Sequence, residues 1–349
     1  MKVFIRSAGN ISPQHSLDKN AFFQQRAVTS LDYFNCIEPA YEEFIDSKMI
    51  RRMSRIVKMG VSAAITCLQN GGVENPGAIL TATAYGCLED SSAFLRRMIE
   101  FEEKMLSPTA FIQSTHNTVG AQIALLLRCH NYNNTIVHSS YSFENALIES
   151  ILLISEGMSP VLVGAIDELT SDRHAILRRF GLYKQTNESL KKESVFFQGR
   201  KAGEGAAFFL LDKEPGKNPL AILTALQTFY HPESPKAVEQ SIQQFIQGIG
   251  LTMDQIDLVL SAQTGNIHED MQEEQLLKTI FRGKSFFPFK SICGDYPTAT
   301  GFALWLAALL IHEQLAPPWF PTLTYPVKNV LIHNHTANTH HSLFLISAC

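Results

Sequence analysis

Thr135-Ile136-Val137-His138-Ser139-Ser140-Tyr141-Ser142-Phe143-Glu144-Asn145-Ala146-Leu147 runs a short apolar strand directly into a helical period. Thr135–Val137 reads as the strand, and the apolar spacing from about Phe143 to Glu156 reads as the helix. The tight corner between them presents one side chain, Ser140, at the start of a helix. A cysteine at such a corner is drawn toward thiolate by the helix dipole and free N–H groups. A serine gains little there and needs a positioned base to become a nucleophile. The plainer reading of Ser140 is a helix cap.

The same alternation continues on both sides. Met1–Arg6, Ala78–Thr83, Pro160–Ala165 and Ala206–Leu211 read as strands, with a helix over Ser92–Glu100. These runs are apolar throughout and do not alternate strictly, as in strands covered on both faces by helices. The turn-rich stretch Lys213–Pro219 then breaks the chain. Beyond it, Leu220–Thr228 is a strand, and Ser234-Pro235 opens a helix to about Gly248. Thr252–Gln255 is a capping box. Val259-Leu260, Val330–Ile332 and Leu343–Ile346 are the remaining strands. An α/β layered fold of two halves, roughly 1–215 and 216–349, follows.

Two further segments hold chemistry-bearing positions. Ile256-Asp257-Leu258-Val259-Leu260-Ser261-Ala262-Gln263-Thr264-Gly265 ends a strand on Gln263, with Glu274 beyond it. Phe289-Lys290-Ser291-Ile292-Cys293-Gly294-Asp295-Tyr296-Pro297-Thr298-Ala299-Thr300-Gly301 places Lys290 and Asp295 on one loop. Glutamine donates a hydrogen bond but neither takes nor gives a proton near neutral pH. An aspartate beside a substrate carboxylate repels it.

These segments resemble those of the β-ketoacyl-acyl-carrier-protein synthases, the ketosynthases of the thiolase superfamily. In that family the corner carries a cysteine among small residues, and the two later segments carry a histidine each. Lys290, Gly294 and Gly301 match the third segment, and Gly203-Glu204-Gly205-Ala206-Ala207 and Pro160–Glu168 are similar to two family strands. The three reactive positions hold Ser140, Gln263 and Asp295 instead. Tyr141 and Phe143 replace small residues and stand where an acyl channel would run. The resemblance implies a thiolase-like αβαβα fold of two similar halves, with Lys290 and Glu274 supporting the site and pairing with one another. Asn334, His335 and His340 fall in the equivalent of the gating loop.

With its chemistry replaced, the chain is expected to be a chain-length-factor-like partner in fatty acid, polyketide or aryl-polyene-type biosynthesis. It would form a homodimer, or a heterodimer with an intact ketosynthase, and meet an acyl carrier protein. The rival readings are a serine acyltransferase or hydrolase using Ser140, with His138 or the histidines near His340 as base, and a condensing enzyme built on Cys293. The basic run Arg51, Arg52, Arg55 and Lys58 suits docking of an acidic carrier protein, or else a solvated helix face. The residues call for no cofactor. His333, His335, His340 and His341 allow two imidazoles on one strand face, but with no local carboxylate or cysteine they read as structural or solvent-exposed, with no metal implied.

Composition narrows the classes. The chain has 349 residues, 45% hydrophobic and 18% charged, with a formal net charge of −4. Nothing global points to nucleic acid. The start lacks a signal-peptide stretch. The apolar run Phe302–Ile311 is shorter than the roughly 20 residues of a membrane span. A cytoplasmic location is therefore expected. The six cysteines form no C-x-x-C pair and read as buried thiols.

Overall fold

The computed structural model describes residues 2–29, 32–104, 106–183 and 199–349. Ten strands lie in one sheet: β1 Val3–Ile11, β2 Ala78–Ala82, β3 Tyr132–Ile136, β4 Val161–Asp167, β5 Gly205–Asp212, β6 Ala221–Tyr230, β7 Leu258–Ser261, β8 Ser285–Pro288, β9 Asn329–Thr336 and β10 His340–Ser347. Of the expected first strand, Met1 lies outside the described residues.

The strand order is β3-β2-β4-β5-β1-β6-β10-β9-β7-β8. Read inward from each end, it is one pattern used twice. The third, second, fourth, fifth and first strands of each half follow one another. The pairing repeats too. β2 is parallel to β3 and β4, and β7 is parallel to β8 and β9. β5 is antiparallel to β4 and β1, as β10 is to β9 and β6. The halves join through β1 and β6, at Val3↔Leu223, Phe4↔Ile222 and Ile5↔Ala221. This is the expected fold of two similar halves.

The layers follow from where apolar side chains are buried. The helix Arg55–Gly71 lays Ile56, Val57, Met59 and Ala63 against Ile11, Phe208 and Leu210 on the outer side of the first half. The helices Pro235–Gly248 and Ile267–Ile280 do the same in the second half, with Ile242, Phe245 and Leu277 against Leu331 and Leu343. Between the halves lie the helices Ser142–Ser155 and Thr300–Glu313. Every residue from Thr300 to Ile311 is buried, so this helix is apolar all round, as a central helix must be. Its surroundings draw on both halves, including Phe209, Leu260, Phe289 and Phe344.

Two glycines permit the closest approaches. A Cβ on Gly301 would stand 2.7 Å from Ala165 Cβ, so the central helix packs tightly on β4. A Cβ on Gly203 would stand 2.1 Å from the Cys293 carbonyl, and Gly294 takes φ +81° against the Gly203 backbone. That contact presses the loop carrying Asp295 onto the first half.

Candidate functional site

The corner after β3 is built as the sequence suggests. Ser139 takes φ +47° and starts a short 3₁₀ turn, Ser139–Tyr141, which feeds the helix Ser142–Ser155. Neither element has a side-chain cap, and Ser142 pins the corner instead. Its hydroxyl accepts from the His138 N–H at 2.9 Å and bonds to the Thr83 carbonyl at 2.9 Å. The cap reading of Ser140 is therefore corrected: Ser140 is 8% exposed and its hydroxyl caps neither helix.

Tyr141 dominates the corner. Its hydroxyl reaches the Phe229 carbonyl at 2.5 Å and the His341 carbonyl at 3.2 Å, and accepts from the His341 N–H at 3.0 Å. One side chain thus ties the corner to β6 and β10 of the other half. The His138 ring stacks on Tyr141 at 5.7 Å, and His340 meets it edge-on at 5.0 Å. Among the described residues no hydrogen bond connects Ser140 to either histidine. Phe143 is fully buried and packs on Phe209.

The other two positions singled out by the resemblance, Gln263 and Asp295, are wired as structural groups. Lys290, 5% exposed, gives Asp295 Oδ1 an ion pair at 2.9 Å and approaches the His335 carbonyl at 3.4 Å. Arg200 stands 3.7 Å from the other Asp295 oxygen and holds Glu269 with a 2.6 Å pair. Burial alone would push the Asp295 carboxyl up, but Lys290 and Arg200 together outweigh it and hold it below the usual carboxylate range. Asp295 is thus an anion with both partners supplied. Its main chain also bonds to Lys201 and Gly203, stitching the loop to the first half. Gln263 turns its amide to the Asp270 carbonyl at 3.4 Å, while the Asp270 carboxylate accepts from the N–H groups of Thr264 and Gly265.

Several expectations need correction. Glu274 does not meet Lys290. It pairs with Lys278 one turn on, and its side chain is 44% exposed. The buried neighbour is Glu273, in phase with Leu277 and Ile280 on the inner face of its helix. That i, i+4, i+7 spacing was available in the sequence. The gating-loop equivalent is no loop: Asn334, His335 and His340 lie on β9 and β10, paired His340↔Thr336 and Ser342↔Asn334 around a tight turn at Ala337-Asn338. Arg55 leaves the docking run, because its guanidinium holds the buried Glu204 and also Glu38. Arg51 and Arg52 are exposed, and Lys58 covers the Tyr41 ring at 5.2 Å.

The histidines near the C-terminus cluster in the interior. His333 Nδ1 is 2.9 Å from Glu273, and His333 Nε2 is 3.2 Å from His341 Nδ1. His335 lies 3.7 Å from the second Glu273 oxygen. The missing carboxylate of the sequence reading was thus Glu273, from another element. Among the described residues no group of these side chains has the geometry to hold a metal ion. Cys293 is fully buried and its thiol is pushed up by that burial, which does not suit a nucleophile.

A cavity of about 320 Å³ opens beside this wiring, lined among others by Arg26, Lys201, Gln263, Asp270 and Lys290. Ser140 does not line it. The site therefore offers an amide, a neutralised lysine and two cations around a recess, with no histidine at its reactive positions.

Known proteins share this architecture. Residues 33–179 match the family model for the β-ketoacyl synthase N-terminal domain. The ishigamide ketosynthase/chain length factor superposes at TM-score 0.80 with 16% identity, covering 100% of this chain and 99% of its own. A type II polyketide acyl-carrier protein in complex with its ketosynthase, AntDE:AntF, bound to the hexaketide gives 0.78 and 15%, covering 100% and 99%. The ketosynthase ApeO in complex with its chain length factor ApeC, from Xenorhabdus doucetiae, gives 0.74 and 14%, covering 100% and 98%. No curated protein sequence matches the chain. The chain shares the thiolase-like fold of these ketosynthase structures. No helix among the described residues is long and apolar enough to cross a membrane.

Proposed function

We propose that the protein is a ketosynthase-like partner subunit without condensing activity, whose two halves are residues 1–215 and 216–349. One observation carries the reading. The three positions at which the family performs chemistry hold a serine with no bonded base, an amide turned to a main-chain carbonyl, and an aspartate locked to Lys290 and Arg200. Condensation needs a thiolate and two imidazoles in those places, and neither the Gln263 amide nor the ion-paired Asp295 moves a proton near neutral pH. Asp295, its charge taken up by Lys290 and Arg200, does not supply the imidazole's stabilisation to a decarboxylating malonyl group. Its partners are an intact ketosynthase and an acyl carrier protein, the assemblies described for the similar structures. The exposed Arg51 and Arg52 remain available to an acidic carrier. The setting that fits is the cytoplasmic synthesis of fatty acid, polyketide or aryl-polyene-type chains.

The purified protein, given acyl- and malonyl-carrier protein, is expected to form no 3-oxoacyl product by mass spectrometry. Product that persists in Ser140→Ala would overturn the assignment of the site, and product lost in that variant would establish the serine enzyme instead. Association with the intact ketosynthase, by co-purification, tests the partner role separately.

A further inference from the structure

The interior histidines are more than filling. Glu273, His333 and His341 form a continuous chain of hydrogen bonds, 2.9 Å and then 3.2 Å, that joins the helix Ile267–Ile280 to β9 and β10. His335 sits beside it, with ring centroids 6.0 Å from His333 and 5.5 Å from His341. His333 and His341 are stacked at 5.5 Å, and His341 stacks on Phe229 at 4.9 Å. One carboxylate therefore serves three imidazoles that are each at most 2% exposed.

The same residues hold the candidate site. The His341 main chain makes two hydrogen bonds to the Tyr141 hydroxyl, and the third goes to Phe229, the residue under the His341 ring. The His335 carbonyl faces Lys290. The corner of Ser140 and the Lys290–Asp295 pair thus both hang on the backbone of this cluster. A cavity of about 240 Å³ lies against it, lined by Glu233, Gln272, Glu273, Asn338 and His341 among others, with room for the hairpin end to move.

We infer that the Glu273–His333–His341 relay, with His335 beside it, is a proton-operated latch that sets the positions of Tyr141 and Lys290. The charges facing it decide the sense. Glu273 compensates one added proton. A second imidazolium has no carboxylate left and faces the first across a ring-to-ring separation of about 6 Å, with Lys290 and Arg200 adding repulsion on the His335 side and only Asp295 opposing them. Burial, then the neighbouring imidazoles, already hold His335 and His341 well below the ordinary histidine range. Acidification thus drives the two strands apart at their hairpin end, and Tyr141 is released with them.

The test uses the full chain with 3-fluorotyrosine at position 141, followed by fluorine NMR and far-ultraviolet circular dichroism from pH 7.5 to 2.5. The expected result is a shift or splitting of the Tyr141 resonance while the dichroism is unchanged. Glu273→Gln removes the compensating charge and moves that midpoint at least one pH unit lower. His341→Phe, which keeps the stack on Phe229, abolishes it and serves if Glu273→Gln does not fold. His138 and His340 touch the reporter ring directly, so the double variant H138Q/H340Q must keep the transition. A flat resonance up to global unfolding, a midpoint unmoved in Glu273→Gln, a transition persisting in His341→Phe, or its loss in H138Q/H340Q each overturns the latch.

Discussion

The charge of Asp295 is matched by Lys290 at 2.9 Å within the protein and is not offered to a ligand. Asp295→Asn leaves Lys290, 5% exposed, without its partner. Breaking such a pair costs about 3 kcal/mol, to be read by urea unfolding at pH 7. The acid dependence follows the sign of the shift. A carboxyl held below its usual value stabilises the fold above its unfolded pKa of about 4, and that contribution fades as pH falls through the folded value. The deficit of Asp295→Asn therefore shrinks below about pH 4. His341 behaves oppositely to a paired histidine. Burial and its neighbouring imidazoles depress it to about 3. The unfolded chain then binds the extra proton between about pH 6.5 and 3, and stability falls with acidification by up to about 1.4 kcal/mol per pH unit. The buried Glu144, raised to about 7, contributes in the other direction, so the measurement is the difference between wild type and His341→Phe. That difference should be flat above pH 6.5 and slope below it.

At the level of elements, the sequence spoke most clearly where local chemistry is strong. Ser234 caps the helix Pro235–Gly248, its hydroxyl accepting from Ala237, and the Thr252–Gln255 capping box is complete. Strands buried on both faces, such as β4 and β5, declared themselves by unbroken apolar runs. β8 was not legible. Its four residues end in a proline, and it owes its pairing to β7 rather than to its own pattern. The central helix Thr300–Glu313 was hidden for the opposite reason, since apolar residues on every side carry no helical period. The same limit governs the site. Motif order singles out Ser140, Gln263 and Asp295, but not what surrounds them. Of the two cations that neutralise Asp295, Lys290 lies on its own segment but Arg200 on a different one, and the carboxylate of the histidine cluster, which sits on strands, comes from Glu273 on a helix. Gly301 shows how packing overrides propensity. Alanine in a helix is favoured over glycine by about 1 kcal/mol. Here its Cβ would stand 2.7 Å from Ala165 Cβ, which the sheet holds in place. Gly301→Ala is expected to lose about 1–3 kcal/mol net, measured as a lower urea midpoint with an unchanged slope. A gain in stability would show that the central helix is free to shift away from β4.

The whole molecule ends in strands. β3 and β8 lie at the two edges of the sheet, and their outer main-chain groups have no strand beside them among the described residues. The two edges are not alike. β3 is flanked by apolar side chains that face outward: Val137 is 46% exposed, Leu152 on the following helix 57%, and Leu125 on the preceding one 66%. The Tyr132 hydroxyl and the Asn134 amide both donate to the Glu149 carboxylate, which orders the strand and its helix as one surface. An open edge beside exposed apolar groups invites pairing with another chain, and natural proteins seldom leave one bare. Two copies pairing through β3 would continue the sheet across a two-fold axis, and an intact ketosynthase offers the same solution with a different partner. A dimer with an interface well above ~1,000 Å² is expected. Light scattering of the purified chain at micromolar concentration reads the first case, and co-expression with an intact ketosynthase reads the second. The double variant Val137→Asp and Leu152→Glu buries two charges in that surface and should give monomer while far-ultraviolet dichroism stays unchanged. A wild-type monomer in both experiments would remove the partner-subunit reading. A homodimer that ignores the ketosynthase would leave the surface intact and move the function to an independent protein, where Ser140 becomes the residue to pursue.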